Sequence, residues 1–140
     1  MKKTLLLIFL FSSVILFAQS KKDIAIRKVL STQTDAWNRG DIENFMIGYW
    51  ENDSLMFIGK SGITYGWTNT LNHYKKSYPD TTEMGKLSFN IITVKHLSKV
   101  YYQVVGKWML KRSIGDLSGH FTLLFKKIKN NWVIIADHSS

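Results

Sequence analysis

The chain has 140 residues, no cysteine and a single proline, Pro79. Without cysteine there is no disulfide framework, no thiol nucleophile, no thiolate metal ligand and no cysteine-linked lipid. A folded state must therefore be held by burial and hydrogen bonds. Acidic residues are also scarce, with 10 Asp and Glu against 19 Lys and Arg, for a net charge of +9. The positive excess is scattered, and its tightest group, Lys126-Lys127-Lys129, runs into an Asn-Asn pair. That setting reads as a solvated hairpin turn, and no nucleic-acid partner is expected. Histidine is thin too: His73, His96, His120 and His138 form no HxH or HExxH pattern, so neither a metal nor another cofactor is expected.

Long apolar runs are missing everywhere except at the start. Lys2 and Lys3 precede an apolar run from Leu5 to Phe17 softened only by Ser12 and Ser13, and Ala18-Gln19-Ser20 follows with small residues at signal-peptidase spacing. The run is shorter than the roughly 20 residues a spanning helix needs. Residues 1–20 read as a secretory signal peptide, with an uncleaved anchor as the alternative. A single domain is expected over 21–140, exported to the periplasm or secreted, with no stable membrane span after cleavage. Loss of Lys2 and Lys3 lowers the net charge of +9 to +7, which would steer an anionic ligand or surface favourably.

From residue 23 onward no repeat or low-complexity tract interrupts the pattern. Ile26, Val29, Leu30, Gln33 and Trp37 recur at helical spacing, and Gly40 stops that helix. Asp41 is placed to cap a second helix carrying Ile42, Phe45, Met46 and Tyr49. A short strand in "SLMFIG" and a turn bounded by Gly59 and Gly62 lead to a third helix over about 67–78, ended by Pro79. The second half predicts four strands, at about 86–97, 99–111, 118–128 and 131–138, with "SIGD" and "KNN" as turns. Helices followed by a run of strands define an α+β class, a curved sheet with helices on one face and a pocket between them.

Alternation along the strands sorts the side chains. Tyr102, Val104, Gly106, Trp108 and Leu110 share the core face of one strand, and Phe121, Leu123 and Phe125 that of the next. In the last strand Val133, Ile135, Asp137 and Ser139 fall on one side, and Trp132, Ile134, Ala136 and His138 on the other. Asp137 and His138 are thus on opposite faces, which excludes a triad built from Asp137-His138-Ser139. Matching Val133 and Ile135 to the Phe121 and Leu123 face puts Asp137 in the pocket. The opposite face, with Trp132, Ile134, Leu124, Val105 and Tyr101, is apolar enough to expect a second subunit over it.

Several stretches, "AWNRGDIENFMIGYW", "DSLMFIGKSGITYGW", "GKWMLKR" and "GHFTLLFKKIKNNWVIIADHSS", resemble the SnoaL-like and ketosteroid isomerase-like branch of the nuclear transport factor 2-like superfamily over essentially all of 23–140. The resemblance implies a cone, a strongly curved antiparallel sheet wrapped around three N-terminal helices, and a homodimer through the outer sheet face. It leaves the reaction open, because the superfamily holds isomerases, cyclases, dehydratases, epoxide hydrolases and noncatalytic modules. The ketosteroid isomerases pair an aspartate base with a tyrosine and a protonated aspartate. Here Gln33 stands where their first-helix tyrosine would be, and "SLMFIG" has no carboxylate for a base.

The expected pocket set is Gln33, Trp37, Tyr49, Phe57, Tyr65, Trp67, Tyr74, Trp108, Phe121, Leu123 and Asp137. Its rings suit an apolar or aromatic small molecule oriented by a few hydroxyl and indole groups. Gln33 is either a ligand-orienting amide or a stripe-edge residue bonded to backbone or water. Asp137 is either the one catalytic candidate, an acid-base group raised by desolvation, or a structural carboxylate accepting from Trp37, Tyr49 or Tyr65. His120 and His138 are expected at the surface or interface, His73 exposed, and His96 without a partner. The expectation is an exported small-molecule-binding or accessory domain. The alternative is an isomerase, cyclase or hydratase-type enzyme using acid-base catalysis on a small hydrophobic substrate.

Overall fold

The computed structural model describes residues 21–140; the expected leader at 1–20 lies outside the described residues. Helix α1 covers residues 21–38. Its stripe of Ile26, Leu30, Gln33 and Trp37 is buried, and each such aliphatic or aromatic side chain contributes roughly 1.5–3 kcal/mol by leaving water. Gly40, at φ +79°, ends it in the left-handed conformation, with its N–H bonded to the Trp37 carbonyl. Asp41 caps α2 (Ile42–Met46) by accepting from the Asn44 N–H at 3.0 Å.

Strands β1 (Met56–Gly59) and β2 (Gly62–Tyr65) form a hairpin, followed by α3 (Trp67–Ser77), which stops before Pro79. A further turn of helix, α4 (Thr81–Met84), is capped by Asp80 on the Glu83 N–H. The long strands are β3 (Lys86–Ser98), β4 (Tyr101–Lys111), β5 (Leu117–Ile128) and β6 (Asn131–Ser139). The sheet order is β2-β1-β6-β5-β4-β3. The fold is α+β as expected, with two additions and one correction. β2 and α4 had no burial signal in the sequence, being four residues each. The sheet is mixed and not wholly antiparallel, because β1 runs parallel to β6.

The concave face carries Tyr102, Val104, Leu110, Phe121, Leu123 and Phe125, all buried. Gly106 is required there: a Cβ would meet Cζ of Phe121 at 2.4 Å and the Asn90 carbonyl at 2.8 Å. In β6 the expected alternation fails. Leu124 pairs with Ala136, but the next residue, Phe125, pairs with Ile134, so Ile135 is bulged out of the ladder and the facing changes there. Trp132 and Ile134 are therefore buried in the concave face, and Val133 and Ile135 are not. Asp137 still faces inward, although the pairing that predicted it was wrong. The outer face loses Trp132 and Ile134 and keeps Tyr101, Val105, Leu124 and Ala136, all half-buried, while His120 and His138 are exposed.

Asn38 fixes the end of α1 to the start of β3. Its amide donates to the Leu87 carbonyl at 3.1 Å and accepts from the Leu87 N–H at 2.7 Å. Trp37 adds an indole N–H to the Met84 carbonyl at 3.1 Å. The helical layer is thus held across the sheet at one end, and a hollow is left at the other.

Candidate functional site

The hollow is a cavity of about 830 Å³ between the helices and the concave sheet face. Its helical wall is aromatic because α1, α2 and α3 all turn rings the same way. Trp37 packs edge-on to Phe45 and Tyr78, each at 5.0 Å between centroids, and Phe45 packs on Tyr74 at 5.2 Å. The sheet wall supplies Phe57, Leu87, Phe89, Trp108, Leu110, Phe121 and Leu123. Such a surface favours an apolar guest, with specificity left to the few polar groups among the rings.

Those groups converge on Asp137, which is 4% exposed. Tyr49 donates to its Oδ2 at 2.7 Å and Ser139 to its Oδ1 at 2.7 Å. The Tyr49 hydroxyl also lies 3.1 Å from that of Tyr74. Among the described residues no cation pairs with the carboxylate. Burial raises the Asp137 carboxyl above the ordinary aspartate range, against the lowering by the two hydroxyl donors and by His138. Tyr49 and Tyr74 are raised well above ordinary phenols, by burial first and by the Asp137 charge second. All three groups hold their protons more firmly than they would in water.

Gln33 lines the cavity, but its amide nitrogen donates to the Phe45 carbonyl at 3.1 Å. Gln33 thus ties α1 to α2, and Gly48 just beyond α2 packs so close that a Cβ there would lie 2.6 Å from the amide. Trp108 lines the opposite wall, and its indole N–H is buried without a partner among the described residues.

The structure brings together Gln33, Trp37, Tyr49, Phe57, Tyr74, Trp108, Phe121, Leu123 and Asp137 of the expected set. Two expected residues are elsewhere. Tyr65 is 57% exposed on the edge strand β2, where a four-residue hairpin arm turns it outward. Trp67 starts α3 and spends its indole N–H on the Met46 carbonyl at 2.9 Å. Of the partners considered for Asp137, only Tyr49 bonds it. His73, expected in solvent, lines the cavity with its ring 5.4 Å from Phe57.

Sequence reasoning missed Phe45, Tyr78, Leu87, Phe89 and Ser139 as lining residues. Ser139 was legible, standing two residues from Asp137 on one face. Phe89 required knowing that β3 lies beside β4, where it pairs with Trp108.

No protein-family model matches the chain, and no curated protein matches it. Among solved structures, an NTF2-like protein of unknown function from Shewanella oneidensis is 46% identical, covering 85% of this chain and 98% of its own, with a TM-score of 0.82. The chain belongs to the NTF2-like, or nuclear transport factor 2-like, family. An NTF2-like protein of unknown function from Pseudomonas putida shares the fold at 14% identity, over 88% of this chain and 87% of its own, with a TM-score of 0.69. A ketosteroid isomerase-like protein from Erwinia carotovora atroseptica does so at 16% identity, over 84% and 93%, with a TM-score of 0.64. These likenesses support the superfamily and do not single out the SnoaL-like branch. An NTF2-like fold enclosing an aromatic cluster suggests a ligand-binding domain.

Proposed function

We propose that this protein is an exported, homodimeric binding domain that holds a small, mainly apolar or aromatic molecule in its cone. The observation that carries the reading is the cavity itself: about 830 Å³, walled by aromatic and aliphatic side chains, with polar groups converging on the buried Asp137. Pockets of roughly 300–1,000 Å³ with this division of labour suit small organic ligands. Export rests on the Lys2-Lys3 start, the apolar run and the Ala18-Gln19-Ser20 site. The homodimer rests on the half-buried Tyr101, Val105, Leu124 and Ala136 of the outer sheet face.

A second reading, acid-base catalysis of isomerase, cyclase or hydratase type, draws on the raised Asp137 beside two phenols. Binding is preferred because Asp137 is the only Asp or Glu lining the cavity among the described residues, and its hydrogen-bond partners are hydroxyls.

The binding reading is tested by native mass spectrometry of the protein purified from its own host, together with titration by an apolar aromatic probe. The expected results are a retained small molecule and saturable one-to-one quenching of Trp37 and Trp108. A bare polypeptide mass together with no saturable binding up to the solubility limit of the probe would refute it. Turnover abolished in a folded Asp137→Asn variant would instead establish the enzyme.

A further inference from the structure

We propose that the hydrogen-bond chain Asp137–Tyr49–Tyr74 reverses direction with the proton on Asp137, so that Tyr74 donates to a neutral carbonyl guest in one state and accepts from a guest's O–H or N–H in the other. The proposal rests on the cavity being a binding site and adds the class of molecule it takes.

A phenol has one O–H to give, and an ionised carboxylate can only accept. The Tyr49 hydroxyl touches two oxygens, Asp137 Oδ2 at 2.7 Å and the Tyr74 hydroxyl at 3.1 Å. With Asp137 ionised, Tyr49 must give its proton to Oδ2, and Tyr74 must then give its own to Tyr49. Tyr74, which lines the cavity and has no other side-chain partner among the described residues, turns only lone pairs to a guest. With a proton on Oδ2, Asp137 donates to Tyr49, Tyr49 donates to Tyr74, and the Tyr74 O–H is free to point into the cavity. Ser139 donates to Oδ1 at 2.7 Å, and with that bond kept the proton goes on Oδ2, facing Tyr49.

The surroundings allow both states. Asp137 is flanked on β1 and β5 by its register partners Phe57 and Leu123, which are apolar. The segment after α2 faces it with Tyr49, α3 and its C-cap bring His73, Tyr74 and Tyr78 to the cavity, α1 brings the uncharged Gln33, and Lys60 lines it from the β1–β2 turn. His138 is beside it in sequence on the outer face. Burial and the hydroxyl donors pull the carboxyl in opposite directions, so no single neighbour locks the chain one way. The guest this end fits best at the acid side is a neutral, largely apolar molecule with a carbonyl oxygen.

Two probes of nearly the same shape test this: acetylnaphthalene, which only accepts, and ethylnaphthalene, which does neither. Each is titrated into the wild-type protein, Asp137→Asn and Tyr74→Phe across the acid-to-neutral range. Ethylnaphthalene offers the chain no polar group, so its affinity for each of the three proteins is expected to be independent of pH. Acetylnaphthalene should bind the wild type about tenfold more tightly at the acid end, the worth of one hydrogen bond. In Asp137→Asn the amide N–H replaces the acid proton, so the tight affinity should persist at every pH. In Tyr74→Phe the ketone should lose its advantage. The proposal is overturned if ethylnaphthalene binds but the ketone shows no pH dependence in the wild type, or if Asp137→Asn is not tight at neutral pH. If ethylnaphthalene itself fails to bind, the binding-site reading is at fault and this inference falls with it.

Discussion

Ile134 and Asp137 are three residues apart on one strand, and both are buried in the concave face, at 1% and 4% exposure. A regular strand would send them to opposite faces. The bulge at Ile135 removes one step of the alternation, so β6 contributes Trp132 and Ile134 to the hydrophobic floor and Asp137 and Ser139 to the polar end. One inserted residue therefore converts a plain core strand into one that is apolar at its start and polar at its finish.

The buried carboxyl gives stability a pH signature. A folded-state value above the unfolded one means that the native state binds the proton more tightly. The stabilisation is complete below the ordinary aspartate value and is lost as pH rises through the raised one. Urea midpoints of wild type and Asp137→Asn, measured from about pH 4 to about pH 8, should show the variant gaining on the wild type as pH rises. The opposite trend would mean that Asp137 is stabilised as an anion.

Gly106 should not tolerate a methyl group. Gly106→Ala places a carbon 2.4 Å from the Phe121 ring and 2.8 Å from the Asn90 carbonyl, and is expected to cost about 1–3 kcal/mol through overpacking. Phe121→Leu in the same chain should recover part of the loss in denaturant titrations, since it removes the nearer of the two clashes. Additive losses would place the strain elsewhere.

Asn38 carries both ends of one clamp, and Asn38→Ala removes two hydrogen bonds to the Leu87 backbone at once. A net contribution of roughly 1 kcal/mol per bond predicts a loss of about 2 kcal/mol. Hydrogen exchange should show the Leu87 amide among those most accelerated. A neutral substitution would show that the Trp37 indole and the Lys86 bond to the Asn38 carbonyl suffice to hold the helix end.

Much of this is legible in the sequence. The Ile26, Leu30, Gln33, Trp37 stripe, the Gly40 stop, the Asp41 cap and the Pro79 boundary are local signals, and local geometry obeyed them. The long strands also announced themselves, because alternation over ten residues has no helical counterpart. What stayed hidden depends on pairing. The bulge at Ile135 leaves no mark in composition, β2 is too short and too exposed to have a buried period, and the parallel β1–β6 pair joins segments far apart in the chain. The outward turn of Tyr65 follows from that hairpin, which explains why an aromatic beside the pocket in sequence is absent from it in space.

The outer sheet face supplies a test of assembly. Leu124 stands between Gln103 and Ala136 in the ladder, on the side away from the cavity. Sedimentation of the protein lacking residues 1–20 at micromolar concentration is expected to give a dimer, and Leu124→Asp a monomer that still binds an apolar probe. A monomeric wild type would contradict the homodimer.

The proposed seat for a small molecule is the cavity wall at Tyr74. The most direct test is a crystal structure of the protein saturated with acetylnaphthalene at acid pH. The ring system is expected between Trp108 and the Phe57–Tyr74 wall, with its oxygen within hydrogen-bond reach of the Tyr74 hydroxyl. A cavity closed by its own side chains, with the probe bound elsewhere or not at all, would contradict the account.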